Sequence, residues 1–202
     1  VGNAYVAGYT TSTEATFPVK VGPDLTHNGR NDAFVAKVNA AGTGLIYAGY
    51  VGGWSDDYGY GIAVDAVGNA FLTGYTNSTE GGFPVKVGPD LTYNGGRDAF
   101  VAKVNATGAT LAYAGYIGGS STDYAYSIAV DAAGNAYITG DTTSRETSFP
   151  VKVGPDLTFN GYWDAFVAKV SATGAALTYA CYLGGSSNDY ACDIAFYAEV
   201  SA

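Results

Sequence analysis

One unit is written three times in this chain. Gly2-Asn3-Ala4-Tyr5 returns as Gly68-Asn69-Ala70-Phe71 and again as Gly134-Asn135-Ala136-Tyr137, each copy 66 residues after the last. Phe17-Pro18-Val19-Lys20, Phe83-Pro84-Val85-Lys86 and Phe149-Pro150-Val151-Lys152 keep the same offset. So do Asp32-Ala33-Phe34, Asp98-Ala99-Phe100 and Asp164-Ala165-Phe166, and the pairs Gly52-Gly53, Gly118-Gly119 and Gly184-Gly185. A period that never slips means one supersecondary unit used in series, each copy stacking on the next. The 202 residues therefore read as a single repeat domain, with repeats near 1–61, 62–127 and 128–193 and a closing strand at 193–198.

Within a unit the apolar pattern has the period of a strand and never that of a helix. Ser127-Ile128-Ala129-Val130-Asp131 alternates, and the Gly134-Asn135 turn leads to a second strand over residues 136–142. A long connection holds Phe149-Pro150, Gly154-Pro155-Asp156 and the turn Asn160-Gly161. Residues 164–170 give a third strand, with Phe166, Ala168 and Val170 on one face, and residues 176–183 a fourth. Large side chains alternate with Ala and Gly, which lets sheets stack closely face to face. The expectation is an all-β protein of four-stranded units.

Composition narrows the function classes. A hydrophobic share of 48% against 13% charged residues argues against disorder, and the 29 Gly follow the repeat instead of clustering. A net charge of −9 makes nucleic acid an unsuitable partner, since phosphate binding needs basic clusters. No apolar run is long enough to span a bilayer, and no signal peptide is evident. The absence of an initiator Met suits a processed product or a truncated sequence.

Ile128-Ala129-Val130-Asp131 with Gly134-Asn135-Ala136-Tyr137, Phe149-Pro150-Val151, residues 164–170 and Gly184-Gly185 together resemble the SBBP β-propeller repeat, over essentially the whole chain. The resemblance implies propeller blades in a protein at the cell surface or outside the cell, with no shared catalytic residue to carry over. Three blades are fewer than the usual minimum of about four for a closed ring. By alignment the first copy lacks its first strand, and residues 193–198, including Ile194, Ala195, Phe196 and Tyr197, are one first strand in excess. That strand would complement the N-terminal blade of the same or a neighbouring chain, giving a homo-oligomeric ring or a filament; the alternative is that the 202 residues are a piece of a longer propeller.

Residues common to all copies are most simply structural, so differences are the better guide to function. They gather in one connection, which carries His27 and Arg30, then Tyr93 and Arg97, then Phe159, Tyr162 and Trp163. Trp54 stands where the later copies have Ser120 and Ser186. Such side chains suit a contact surface for a glycan or protein ligand. Asp57, Asp123 and Asp189 precede first strands, where they either cap turns or form weak calcium candidates; no other cofactor is indicated. The two cysteines, Cys181 and Cys192, could bridge the last Gly-Gly loop or remain thiols. His27 is the only histidine, in a slot filled elsewhere by Tyr93 and Phe159, and no nucleophile–base set can be named. The reading is a non-catalytic, extracellular, self-assembling structural protein. A ligand-binding propeller is the first alternative, and a propeller lyase or hydrolase the second.

Overall fold

A computed structural model describes residues 2–197 of the chain. Eleven strands and no helix are found among them: β1 (Ala4–Thr10), β2 (Asp32–Val38), β3 (Leu45–Val51), β4 (Asp57–Val64), β5 (Ala70–Thr76), β6 (Asp98–Val104), β7 (Leu111–Ile117), β8 (Asp123–Val130), β9 (Ala136–Thr142), β10 (Asp164–Val170) and β11 (Leu177–Leu183). They form three antiparallel sheets, β1-β2-β3, β4-β5-β6-β7 and β8-β9-β10-β11. Each sheet is one blade, and the first has three strands where the others have four. Residues 1 and 198, the outer limits of the repeats read from sequence, lie outside the described residues.

Period-2 alternation gives each blade two apolar faces. In the second blade Phe71, Ala99, Val101, Tyr113 and Ile117 face the third blade and join its Ile138, Phe149, Phe166 and Tyr182 in one buried cluster. The side chains between them, Leu72, Phe100, Ala102, Val104 and Tyr116, face backward onto Val35, Tyr47 and Val51 of the first blade. The core is thus two interfaces between blades. Small residues set the spacing. At β4 and β8 a Cβ on Gly61 would stand 3.0 Å from the Ser127 Cα.

The strands at 136–142 and 164–170 fall where the alternation places them. The blade's first strand starts earlier than its pattern suggests, at Asp123 instead of Ser127. A register shift between Ala125 and Ser127 breaks the alternation there, hiding Asp123 and Tyr124 from a period-2 reading. The anticipated closing strand also differs: residues 193–197 pair with no strand in this chain. The disulfide reading is overturned, because Cys181 is a buried free thiol and Cys192 an exposed one. Cys181 sits in β11, at one edge of its sheet, whereas the chain after Asp189 runs beside β8 at the other edge. Three strand spacings of about 4.8 Å exceed the reach of a disulfide.

Two tight turns hold the blades in step. Gly108 and Gly174 take φ of +83° and +81°, and a Cβ on either would collide with the ring of Tyr47 or Tyr113 on the preceding blade. Gly42, the equivalent in the first blade, has φ +70° but nothing within 4 Å. Gly108→Ala therefore combines backbone strain with a clash, and is expected to cost about 2 kcal/mol or more. Gly42→Ala carries only the strain. Urea denaturation of both variants checks the ordering, and equal losses would contradict the packing role given to Gly108.

Candidate functional site

Two constellations stand out, and both lie where blades meet. The first is a set of buried aspartates. Asp57 opens β4 and takes the Gly53 N–H at 2.7 Å, the Ser78 hydroxyl at 2.9 Å and a hydrogen bond from the Thr76 hydroxyl. Asp123 repeats this with Gly119 N at 2.8 Å, Ser144 Oγ at 3.0 Å and Thr142. Beside each lies an aspartate of the blade before, Asp32 at the start of β2 and Asp98 at the start of β6. A methyl group on Gly118 would stand 2.9 Å from Asp98 Oδ1 and 3.0 Å from Asp123 Oδ2, so the two carboxyls flank one glycine. Asp98 receives the Asn94 N–H at 2.8 Å on one oxygen, while its buried Oδ1 has no partner.

Burial dominates the electrostatics. It pushes Asp57 and Asp123 up to about 6 against the hydrogen bonds they accept. Asp98 rises to about 7 through burial and the Asp123 charge, and Asp32 and Asp164 are raised by burial too. At Asp98 the neighbouring Asp123 charge adds to burial in favouring the protonated form. Asp123 has donors on both oxygens and Asp98 on only one, so Asp98 keeps its proton to the higher pH. The donors around Asp57 and Asp123 occupy the lone pairs a calcium ion would use. Among the described residues no group of three or more His, Cys, Asp or Glu is arranged to hold a metal.

The second constellation is a row of aromatic rings that crosses from blade to blade, from β1 through β4, β5 and β8 to the segments before β10 and after β11. Tyr9 stands 4.4 Å from Tyr58, Tyr58 stacks on Tyr75 at 4.8 Å, and Tyr75 meets Tyr124 at 4.8 Å. Tyr124 stacks on Trp163 at 5.6 Å, and Trp163 reaches Tyr190 at 6.5 Å. Arg97 lies over Tyr75 and Tyr124 and donates to the Tyr124 hydroxyl. Tyr60 and Tyr126 form a second tier at 5.7 Å. Of the residues singled out in the sequence, only Arg97 and Trp163 belong to this row. Tyr58 with Tyr60 and Tyr124 with Tyr126 stand side by side at 6.4 and 6.1 Å across the register shift, and the signal the sequence offers for them is the repeated Tyr-x-Tyr itself.

The other candidates separate. His27, Tyr93 and Phe159 fill equivalent packing slots against Tyr50, Tyr116 and Tyr182, with ring centroids 5.6, 5.9 and 5.9 Å apart. His27 Nε2 lies 3.3 Å from the Thr10 carbonyl. Arg30 is exposed, 3.9 Å from Asp56. Trp54 and Tyr162 are exposed too, Trp54 lying over Gly82. Lys103 and Lys169 pair with Asp65 and Asp131, at 3.7 and 3.9 Å.

Tandem antiparallel blades of four strands, each packed face to face on the next, define a protein of β-propeller repeats. Residues 46–82 and 112–146 match the family model of the SBBP β-propeller repeat. Each matched segment runs from the last strand of one blade through the first two of the next. These segments belong to the SBBP repeat family, as the sequence resemblance implies. No curated protein matches the chain. No helix among the described residues is long and apolar enough to cross a membrane.

The carboxyl pairs predict a pH dependence. Unfolded, these groups titrate near 3.9; folded, Asp57, Asp123 and Asp98 hold protons up to about 6, 6 and 7. The folded state binds more protons across that window, so stability is greatest at its acid end and falls as pH rises through 7. Melting followed by circular dichroism should give a lower Tm at pH 8 than at pH 5, and Asp98→Asn should flatten the decline. A Tm that rises with pH would refute the raised titration of these buried carboxyls.

Proposed function

We propose that this chain is a non-catalytic structural protein, acting at the cell surface or outside the cell, that builds larger objects by adding blades at its two open faces. The supporting observation is that positions buried in the interior blades are open at both ends of the series. Leu72 and Ile138 are fully buried, but their equivalent in the first blade, Val6, is 43% exposed. Val51 and Ile117 are buried, whereas Leu183 of the third blade is 48% exposed. An apolar recess of about 270 Å³ also opens on the third blade, lined by Val153, Gly154, Pro155, Val167, Tyr179 and Cys181. The corresponding Tyr47 and Tyr113 lie beneath the Gly108 and Gly174 turns of the following blade.

The two open faces differ, so they suit head-to-tail association, which closes into a ring or runs on as a filament. Residues 189–197, with Ile194, Ala195, Phe196 and Tyr197, are the strand offered and the free edge of β1 is the acceptor. Such an edge is a template for strand addition. A second reading, a glycan-binding propeller, draws support from the aromatic row, whose end members Tyr9 and Tyr190 are 50% and 58% exposed. Light scattering on the purified chain, with and without residues 189–202, tests the first reading. A dimer lost on truncation means a six-bladed ring, and polymers lost on truncation mean a filament. A monomer at all concentrations overturns self-assembly and assigns the two faces to further blades of one polypeptide.

A further inference from the structure

At each blade junction the chain crosses by the same track. Asn31 bridges Asp56 in parallel fashion, Arg97 bridges Thr122, and Trp163 bridges Asn188. The next N–H then donates to the same carbonyl each time: Asp57 to Asn31 at 2.7 Å, Asp123 to Arg97 at 2.8 Å and Asp189 to Trp163 at 2.7 Å. Gly185 N donates to Asp189 Oδ2 at 2.8 Å, as Gly53 and Gly119 do to Asp57 and Asp123. Beyond it, the Ser127 hydroxyl donates to Asp193 at 2.5 Å and Phe196 packs on Tyr137 at 5.2 Å. Residues 189–197 therefore lie on the third blade as β8 lies on the second. They occupy the place of a first strand and have no second strand beside them.

What is missing can be named from the interior. Asp57 is completed by Thr76 and Ser78 of β5 and its following turn, and Asp123 by Thr142 and Ser144 after β9. Asp189 has only its glycine donor. The equivalent hydroxyls are Thr10 and Ser12, at the end of β1, whose inner edge is unpaired. They are already arranged for the task. Ser12 N donates to Thr10 Oγ1 at 2.9 Å, as Ser78 N and Ser144 N do to Thr76 and Thr142 at 2.8 Å. Tyr58 is the register partner of Tyr75 and stacks on it; the equivalents of those two are Tyr190 and Tyr9.

We infer that residues 189–197 of one copy and β1 of a second copy form one composite blade in a fixed register. Asp189 accepts from Thr10 and Ser12 of the second copy, and Tyr190 faces its Tyr9. The Gly42 turn of that copy, open in this structure, covers the recess at Tyr179 as Gly108 covers Tyr47. The inference rests on the self-assembly reading and specifies its contacts.

A cysteine pair tests the register separately from the assembly. In a Cys192→Ser background, Tyr9→Cys with Tyr190→Cys places thiols on directly opposed residues, with Cβ atoms about 5 Å apart, close enough to oxidise. Mild oxidation should give covalent dimers or ladders on non-reducing gels. The shifted pair Tyr9→Cys with Ala191→Cys should give none, because a one-residue slip turns the side chain to the other face. Asp189→Ala should weaken association about tenfold or more. Self-association by light scattering without crosslinking at 9–190 overturns the register and leaves the assembly. A monomeric chain overturns both, and a bond formed within one chain assigns the acceptor edge to the same molecule.

Discussion

The packing of one blade face on another is the constraint from which the rest follows. A four-stranded sheet with Phe, Tyr, Leu and Ile on both sides cannot leave either side in water. Phe71, Val101 and Ile117 are buried only because the third blade is there, and Leu72, Phe100 and Val104 only because the first is. Large rings alternate with Ala and Gly so that neighbouring sheets approach closely, and the Gly108 and Gly174 turns use the absence of a Cβ to lie on a tyrosine. Within each blade the long connection is tied down by one tyrosine hydroxyl. Tyr50 donates to Ser12, Tyr116 to Ser78 and Tyr182 to Ser144, at 3.0, 3.0 and 2.9 Å. The same donor closes the same loop in all three copies.

The aspartates stand in this apolar stack because the crossing from blade to blade leaves backbone donors that must be satisfied. Asp57 takes the N–H of the crossing loop and two hydroxyls at the end of the neighbouring strand, joining three segments through one carboxylate. Three hydrogen bonds to a charged acceptor offset much of its desolvation. Asp98 has one donor for the same depth of burial, so its carboxyl resists ionisation and becomes the titrating member. The difference between the two sites lies in the count of donors, not in the residue type.

Most of the fold is legible in the sequence because a repeat states the same fact three times. The strands at 136–142 and 164–170 follow from alternation alone. The start of β8 is hidden by the bulge at Ala125 and Ser127, since an extra residue defeats a period-2 pattern. The candidate site was less legible for a related reason. Differences between copies point to loops such as Arg30, Trp54 and Tyr162, which the fold leaves scattered on the surface. The aromatic row mixes a residue that repeats, Tyr58 with its equivalents Tyr124 and Tyr190, with residues that do not recur in every copy, Tyr75 and Trp163, and its members come together only when the blades are placed side by side. The cysteines misled because eleven residues of separation say nothing about which edge of a sheet each one occupies.

A repeat architecture also settles what an open face can accept. In a protein without repeats, an exposed apolar face carries no record of its partner. Here the second blade displays both sides of a junction, and that is what supports the proposal of a surface carrying Leu183, Asp189 and Tyr190 as the partner for Val6, Thr10 and Ser12. The two faces are unlike, so the association proposed above would be head-to-tail, not a self-complementary contact through either face alone.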